Sequence, residues 1–171
     1  MKNVSFRNDV LPLKNLLFRL AFRITLSKEE AEDVVQDTLI KVWDKRYEWE
    51  TIDSIEAYAM KICRNLSLDR IKKKDNQNAS FEERQFATEL YTTTTPHEVM
   101  IQQDRIRWVG EIINNLPEKQ RSCIQLREFD GKPYKEIAEA LDISEEQVKV
   151  NIFRARQAIK SRFNELDNYG L

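Results

Sequence analysis

The residues best placed to act on a partner are cations rather than nucleophiles. Between positions 149 and 162, Lys149, Arg154, Arg156, Lys160 and Arg162 follow one another with no acid among them. Val148, Ile152, Ala155 and Ile159 recur at i, i+4, i+7 and i+11 in the same stretch, the spacing of one buried helical stripe. The basic side chains fall largely off that stripe, on a face suited to phosphate. Just upstream, Ser144 and Gln147 form an S-x-x-Q capping box that supplies partners for orphan donors at a helix start. Before it, Ile137, Ala138 and Leu141 recur at helical spacing until Asp142-Ile143-Ser144 breaks the pattern. A short helix, a tight turn and a longer cationic helix over 133–163 is the plan of a helix-turn-helix, which places its second helix in the major groove. A basic amphipathic helix alone would be an ordinary solvated face; the cap, turn and small first helix point it at DNA.

Two further constellations carry charge. Glu29, Glu30, Glu32, Asp33 and Asp37 form an acidic patch with no base inside it. On a helix, Asp33, Gln36, Asp37 and Ile40 stand at i, i+3, i+4 and i+7 and so share one face. That face repels phosphate but suits a basic protein surface, with Ile40 as an apolar anchor. Spacing alone fits a solvated face as well. The second constellation is Lys61, Arg64, Arg70, Lys72, Lys73 and Lys74, with Asp69 the one counter-charge and Tyr47, Trp49 and Tyr58 close by in sequence. Lysines and stacking aromatics suit unpaired DNA; lysines that complement a helix dipole give the same pattern. The net charge of −1 conceals these local fields, which are what steer partners.

Enzymatic readings find no site. The single histidine, His97, stands beside Pro96 in a polar stretch, so the paired E-x-x-H motifs of a carboxylate-bridged metal centre are missing. There is no glycine-rich phosphate loop and no nucleophile elbow. Catalytic residues, metal, cofactor and small-molecule substrate are therefore all expected to be absent. Cys63 and Cys123 are too few for a disulfide framework and sit in helical patterns, where buried thiols are expected. No apolar run reaches spanning length and the first ten residues lack a signal core, so membrane insertion is not expected and a cytoplasmic location is.

The elements that must hold these faces are all helical. Only three glycines in 171 residues and 33% charged side chains accompany long helical periodicities. A first helix opens near Asn8 or Asp9, with Pro12 in its first turn and Leu13, Leu16, Leu17, Leu20, Ala21 and Ile24 inward. Ser27 and Glu30 cap a second, to about Trp43, with Ala31, Val34, Val35, Leu39 and Val42 inward. Residues 47–52 read as a loop. Asp53 and Glu56 cap a third helix that buries Ile55, Ala59, Ile62, Cys63 and Leu66 and runs into the basic tail. Residues 75–97 read as a linker holding a short helix over 81–90 and the run Thr92-Thr93-Thr94-Thr95-Pro96. Ile101, Ile106, Trp108, Val109, Ile112, Ile113 and Leu116 restart a helix, Pro117 opens another through Cys123, Ile124 and Leu126 to Phe129, and Asp130-Gly131 ends it. The fold class expected is all-α, with two small helical domains at 8–74 and 98–166 joined by a flexible linker.

The segments AEDVVQDTLIKVW and AYAMKICRNLSLDRIKKK resemble region 2 of bacterial sigma-70 family RNA polymerase sigma factors. LPEKQRSCIQLREFDGKPYKEIAEALDISEEQVKVNIFRARQAIKSRF resembles their region 4. Order and separation are similar to those of the short extracytoplasmic-function (ECF) group, over residues 11–163. The resemblance implies that Asp33, Gln36 and Asp37, with Ile40 on the same face, meet the β′ clamp helices of core RNA polymerase. It implies that Arg64, Asn65, Asp69, Arg70 and Lys72 serve the −10 element, and that the loop at Trp49 captures a flipped base during melting. It places Lys149, Val150, Asn151, Phe153 and Arg154 on the −35 element, where Asn151 suits a base edge and Arg154 a base or a phosphate. The β flap of the polymerase, promoter DNA and an anti-sigma factor are the partners implied. One departure stands out: Tyr58-Ala59 occupies the place where the family often has Trp-Leu before its Ile-x-x-Asn segment.

A rival reading is a free-standing helix-turn-helix regulator that binds a palindrome as a dimer. It explains residues 133–163 but leaves the acidic face and the basic block without a task.

Overall fold

The computed structural model describes residues 3–75 and 96–168, with side-chain surroundings in the second stretch from residue 104 onward. All regular structure among the described residues is helical. The helix expected over 81–90 and the threonine run lie outside them.

The chain enters through a one-turn π-helix, Phe6–Val10, and a 3-10 turn, Leu11–Leu13, before α1 (Lys14–Thr25). The helical path thus starts a few residues before the Asn8 or Asp9 that periodicity suggests. Ser5 explains this: its Oγ accepts from the Asn8 amide at 3.4 Å, while Asp9 Oδ2 accepts from the Ser5 amide at 2.6 Å, a reciprocal cap. Pro12 sits in the 3-10 turn, where its missing N–H costs little.

α2 (Lys28–Asp44) starts on Ser27, whose Oγ accepts from Glu30 N at 3.3 Å. It buries Ala31, Val34, Val35 and Val42, with Leu39 half-buried. Most of residues 47–52, expected to be a loop, lies in a 3-10 turn, Arg46–Thr51. α3 (Ile55–Asp75) is capped one residue later than expected. Ser54, not Asp53, presents its Oγ to the Ala57 amide at 3.1 Å, because Asp53 lies one position too early to reach that donor. These three helices share one core, with Leu17, Leu20, Ile24, Val34, Met60 and Cys63 sealed from solvent.

The second unit comprises α4 (Pro96–Asn114), α5 (Glu118–Ile124), a π turn (Gln125–Phe129), α6 (Tyr134–Leu141) and α7 (Glu145–Asn168). Pro117 precedes α5 as expected, and Gly131 takes the left-handed φ of 64° that turns the chain into α6. Ile137, Ala138 and Leu141 face Val148, Ile152 and Ala155 in its core. Both cysteines are buried, and burial first of all pushes each thiol up to about 12, so they stay protonated. Among the described residues no helix is long and apolar enough to cross a membrane.

The two units do not stay apart. Five consecutive residues of α1, Leu20 to Ile24, are buried, Arg23 included, more than one amphipathic stripe can explain. One side of α1 faces α2 and α3; the other meets α5, while α3 lies along α6. The contact between units joins their buried apolar residues into one core and adds a set of polar bonds. Arg64 of α3 grips Glu118 of α5 bidentately, Nε to Oε1 and Nη2 to Oε2, each at 2.9 Å. Its remaining nitrogen donates to the Leu141 carbonyl at the end of α6, at 3.1 Å. Arg23 donates to Gln125 Oε1 at 2.8 Å and to Asn114 Oδ1 at 2.9 Å. Gln125 in turn donates to Asp130, which also takes Arg19 at 2.8 Å. Lys132 pairs with Glu56, and Lys61 with Asp142 at 3.7 Å.

Burial pushes the Glu118 carboxyl up, but the Arg64 hydrogen bonds and charge, aided by Ser122 and Arg121, outweigh it and hold it below the ordinary 4.5. A depressed carboxylate stabilises the closed form above its unfolded value and loses that contribution as pH falls through the folded value. Closure should therefore weaken only below about pH 4.5. Removing the acid isolates a buried guanidinium, a loss of about 2–5 kcal/mol for such a pair. Glu118→Ala should part the two units while each keeps its helices, seen as a larger radius of gyration in small-angle scattering with unchanged helical circular dichroism. An unchanged radius would show that this pair does not hold the closed form.

Candidate functional site

Three surfaces result. The first is the outward face of α2. Asp33 and Gln36 are exposed and Asp37 half-buried, all on the side away from Val34, Val35 and Thr38. Ile40 is 58% exposed, so the apolar anchor expected from its spacing stands free. It forms one wall of a shallow apolar groove with Phe6, Leu39 and Trp43. Phe6 meets Trp43 edge-on at 5.3 Å between centroids, which fixes the groove's floor.

The second surface runs from the Arg46–Thr51 turn along α3. Asn65, Asp69 and Lys72 are exposed there. Arg70 is not idle: its Nη1 lies 3.0 Å from Glu30 and 3.7 Å from Asp33, and its Nη2 3.1 Å from Asp37. The expected cation of the DNA face thus lies on the acidic face of α2. Desolvation opposes its charge, but hydrogen bonds and charge from Glu30 and then Asp37 more than restore it and raise its pKa.

Two expectations need correcting in this conformation. Arg64 is not presented for phosphate; it is buried in the contact between units, held as described above. Trp49 is not a free stacking platform. It is only 6% exposed and its indole N–H donates to the Val42 carbonyl at 3.0 Å. The turn buries Trp49 because its partner Trp43 (6.3 Å, edge-on) and the end of α2 need a lid. The aromatic that does face outward is Tyr47, 82% exposed. Arg46 stacks at 4.5 Å on both Trp43 and Tyr47 and donates to the Tyr47 hydroxyl at 3.0 Å. At three residues per turn, positions two apart point in different directions, so the 3-10 turn separates Tyr47 from Trp49.

The third surface belongs to α7. The cap at its start is fully formed, Gln147 Oε1 accepting from Ser144 N at 3.0 Å and Ser144 Oγ from Gln147 N at 3.1 Å. Lys149, Val150, Phe153 and Arg154 are exposed, Phe153 at 63%. Asn151 is half-buried, its amide donating to the Gln147 carbonyl at 2.8 Å. Lys149 also lies 5.8 Å from the ring of Tyr134 on α6. Arg156 departs from the row by pairing with Glu128. Behind this face, Val109, Ile113, Ile124, Phe129, Ile159 and Phe163 line an apolar groove between α4, α5 and α7.

Residues 10–77 match the pattern described as "Sigma-70 region 2", and residues 106–159 that of "Sigma-70, region 4". The chain belongs to the sigma-70 family, in its ECF group. It is 28% identical over 148 residues to the ECF RNA polymerase sigma-E factor of Haemophilus influenzae, covering 82% of this chain and 78% of that one. Against the ECF RNA polymerase sigma factor SigW of Bacillus subtilis it is 26% identical over 169 residues, 95% and 90% of the two chains. Its fold is similar to the sigma factor RpoE solved with the anti-sigma factor NepR from Bartonella quintana. That match has a TM-score of 0.74 at 22% identity and covers 93% and 96% of the chains. CnrH, solved with the cytosolic domain of CnrY, gives 0.63 at 20% identity, covering 94% and 88%. Sigma factors are transcription initiation factors, which bind core RNA polymerase and promoter DNA. The first two surfaces of this sigma factor lie in its region 2 and the third in its region 4.

The placement of the two turn aromatics has a direct check. Trp49→Ala should cost about 3–5 kcal/mol in denaturant unfolding, whereas Tyr47→Ala should stay within about 0.5 kcal/mol. Equal effects would show that the two rings are not divided between core and solvent.

Proposed function

We propose that this sigma factor docks on core polymerase through Asp33, Gln36, Asp37 and Ile40, placed against the β′ clamp helices. Carboxylates flanking an apolar knob suit a basic coiled coil with one hydrophobic seat. The groove between α4, α5 and α7 is the matching seat for the β flap. Residues 8–74 and 98–166 act as the two working domains, with 75–97 as the connection.

Promoter DNA takes the other two faces. On α3, Asn65 and Asp69 meet the −10 element, and Arg70 and Lys72 hold phosphate beside them. Arg64 joins them only after α3 parts from α6, because its present partners are Glu118 and Leu141. The Trp49 turn serves base capture through the shape it gives the surrounding surface, and exposed Tyr47 supplies a ring for stacking. On α7, Lys149, Val150, Asn151, Phe153 and Arg154 enter the major groove at −35. Asn151 reads a base edge after releasing the Gln147 carbonyl, Val150 and Phe153 offer apolar contact, and Arg154 takes a base or phosphate. The chain positions polymerase and carries out no chemistry itself; its place of work is the cytoplasm, where polymerase and DNA are. An anti-sigma factor is a further partner, a reading supported by the structure of RpoE in complex with the anti-sigma factor NepR.

The observation that carries this reading is the opposition of two exposed faces: acids with Ile40 on α2, and acid-free cations on α7. The closed arrangement fits it as a resting form, since α3 and α6 must separate before their units can grip distinct promoter elements. Transcription from matched genomic promoters, with core polymerase and with or without this chain, is the overall test; absence of a chain-dependent transcript together with no core binding would overturn it. Asp33→Lys with Asp37→Lys should weaken core binding at least about tenfold while helical circular dichroism shows that the domain still folds. Arg154→Ala should reduce initiation at −35-dependent promoters by a loss of about 1–3 kcal/mol. Normal initiation there would remove Arg154 from the DNA contact.

A further inference from the structure

Arg70 stands on the helix assigned to DNA, yet its guanidinium spans the helix assigned to polymerase. Glu30, Asp33 and Asp37 lie at i, i+3 and i+7 on α2, and Arg70 reaches all three, at 3.0, 3.7 and 3.1 Å. Lys74, one turn further along α3, lies 3.7 Å from Glu30. Glu30 is the more enclosed of the three acids; Asp33 and Asp37 keep about half of their side-chain surface in solvent, and Arg70 about a third. A partner can therefore approach Asp33 and Asp37 from outside without first dismantling the core.

We propose that Arg70 is a positioning residue that couples the polymerase and DNA interfaces by exchanging its oxyanion partners. The inference rests on the reading of Asp33 and Asp37 as polymerase contacts and of α3 as the −10 helix. In the free chain Arg70 neutralises the acidic face. When cations of the polymerase take Asp33 and Asp37, the guanidinium turns to a DNA phosphate beside Lys72. Carboxylate and phosphate offer the same forked geometry to Arg, so one set of bonds replaces another. Each exposed pair is worth only a fraction of a kcal/mol to about one, so the exchange is reversible. Arg64 does not serve in this way while the units are closed, because its partners are buried with it. Linkage makes the effect mutual: DNA on α3 must raise the affinity of α2 for polymerase by the same factor.

The test measures core polymerase affinity of the full chain by competition, with thermal unfolding in parallel. Arg70→Gln uncovers the acids and should tighten core binding about three- to tenfold, although it removes a stabilising ion pair. Promoter DNA should then add less to core affinity than it adds for the unaltered chain. Arg70→Lys keeps the charge without the fork and should fall between the two. A mere staple predicts the reverse, lower thermal stability with core affinity unchanged or weaker, and that result overturns the exchange. If Arg70→Gln does not fold, Arg70→Lys carries the same test with a smaller gain, and no gain overturns it. Asp33→Lys with Asp37→Lys separates the two levels. If that pair leaves core binding intact, the polymerase reading falls; if it weakens binding while the Arg70 variants do not tighten it, only the exchange falls.

Discussion

The contact between Arg64 and Glu118 is the interaction on which the closed form turns. A guanidinium withdrawn from water needs nearly every donor met, and here one carboxylate takes two and the Leu141 carbonyl a third. Ser122 completes the carboxylate at 2.8 Å. The Glu118 end lies at the start of α5, where the helix dipole favours an acid, and Leu141 at the end of α6, where it favours a cation. Three helices from two units therefore meet around one charge. The neighbouring Arg19, Arg23, Gln125 and Asp130 extend the same polar character. An interface of this kind adds directional bonds, which water or phosphate can replace, to apolar packing that makes one continuous core of the two units.

That chemistry separates the two arginines of α3. Arg64 is closed in and committed to the other unit; Arg70, two turns on, is half open and bound to its own domain. Both occupy carboxylates in the free chain, so the cationic block that reads so strongly in sequence is partly quenched in the fold. Lys72 and Lys73 remain exposed. The near-neutral net charge of the chain thus has a local counterpart: acids and bases are not merely balanced in number but set against one another across α2 and α3.

What the sequence made legible was local. The Ser27 and Ser144 caps, the buried stripes of α1, α2 and α7 and the helix-turn-helix are short-range patterns, found where periodicity and capping place them, although Glu30 turns to Arg70 instead of closing the Ser27 box. The faces of α2 and α7 follow directly, since fixing the inward residues fixes the outward ones. The third helix cap lies one residue beyond the expected Asp53, because Asp53 and Ser54 are both competent caps and only geometry chooses between them. The burial of Trp49 and Arg64 is not legible in the sequence for another reason. Their partners, Val42 and Glu118, are set by tertiary packing, and a basic or aromatic residue near a basic run looks exposed until something covers it. The burial of Arg23 left a trace, however: five buried positions in a row on α1 reflect cover from two sides, visible in sequence only as Phe22 extending the expected stripe.

The reciprocal cap at Ser144 and Gln147 has a consequence beyond holding a helix end. It anchors α7 by backbone bonds and by the buried Val148, Ile152 and Ala155, and it uses none of Lys149, Val150, Phe153 or Arg154. Rigidity and the proposed readout thus fall to different residues of one helix. Changes at these exposed positions incur almost no folding penalty, so, on the proposed reading of α7, a duplicated copy of such a chain can drift toward new promoters one side chain at a time. The stable frame makes the reading head interchangeable, and a genome can diversify its regulatory repertoire without redesigning the protein that carries it.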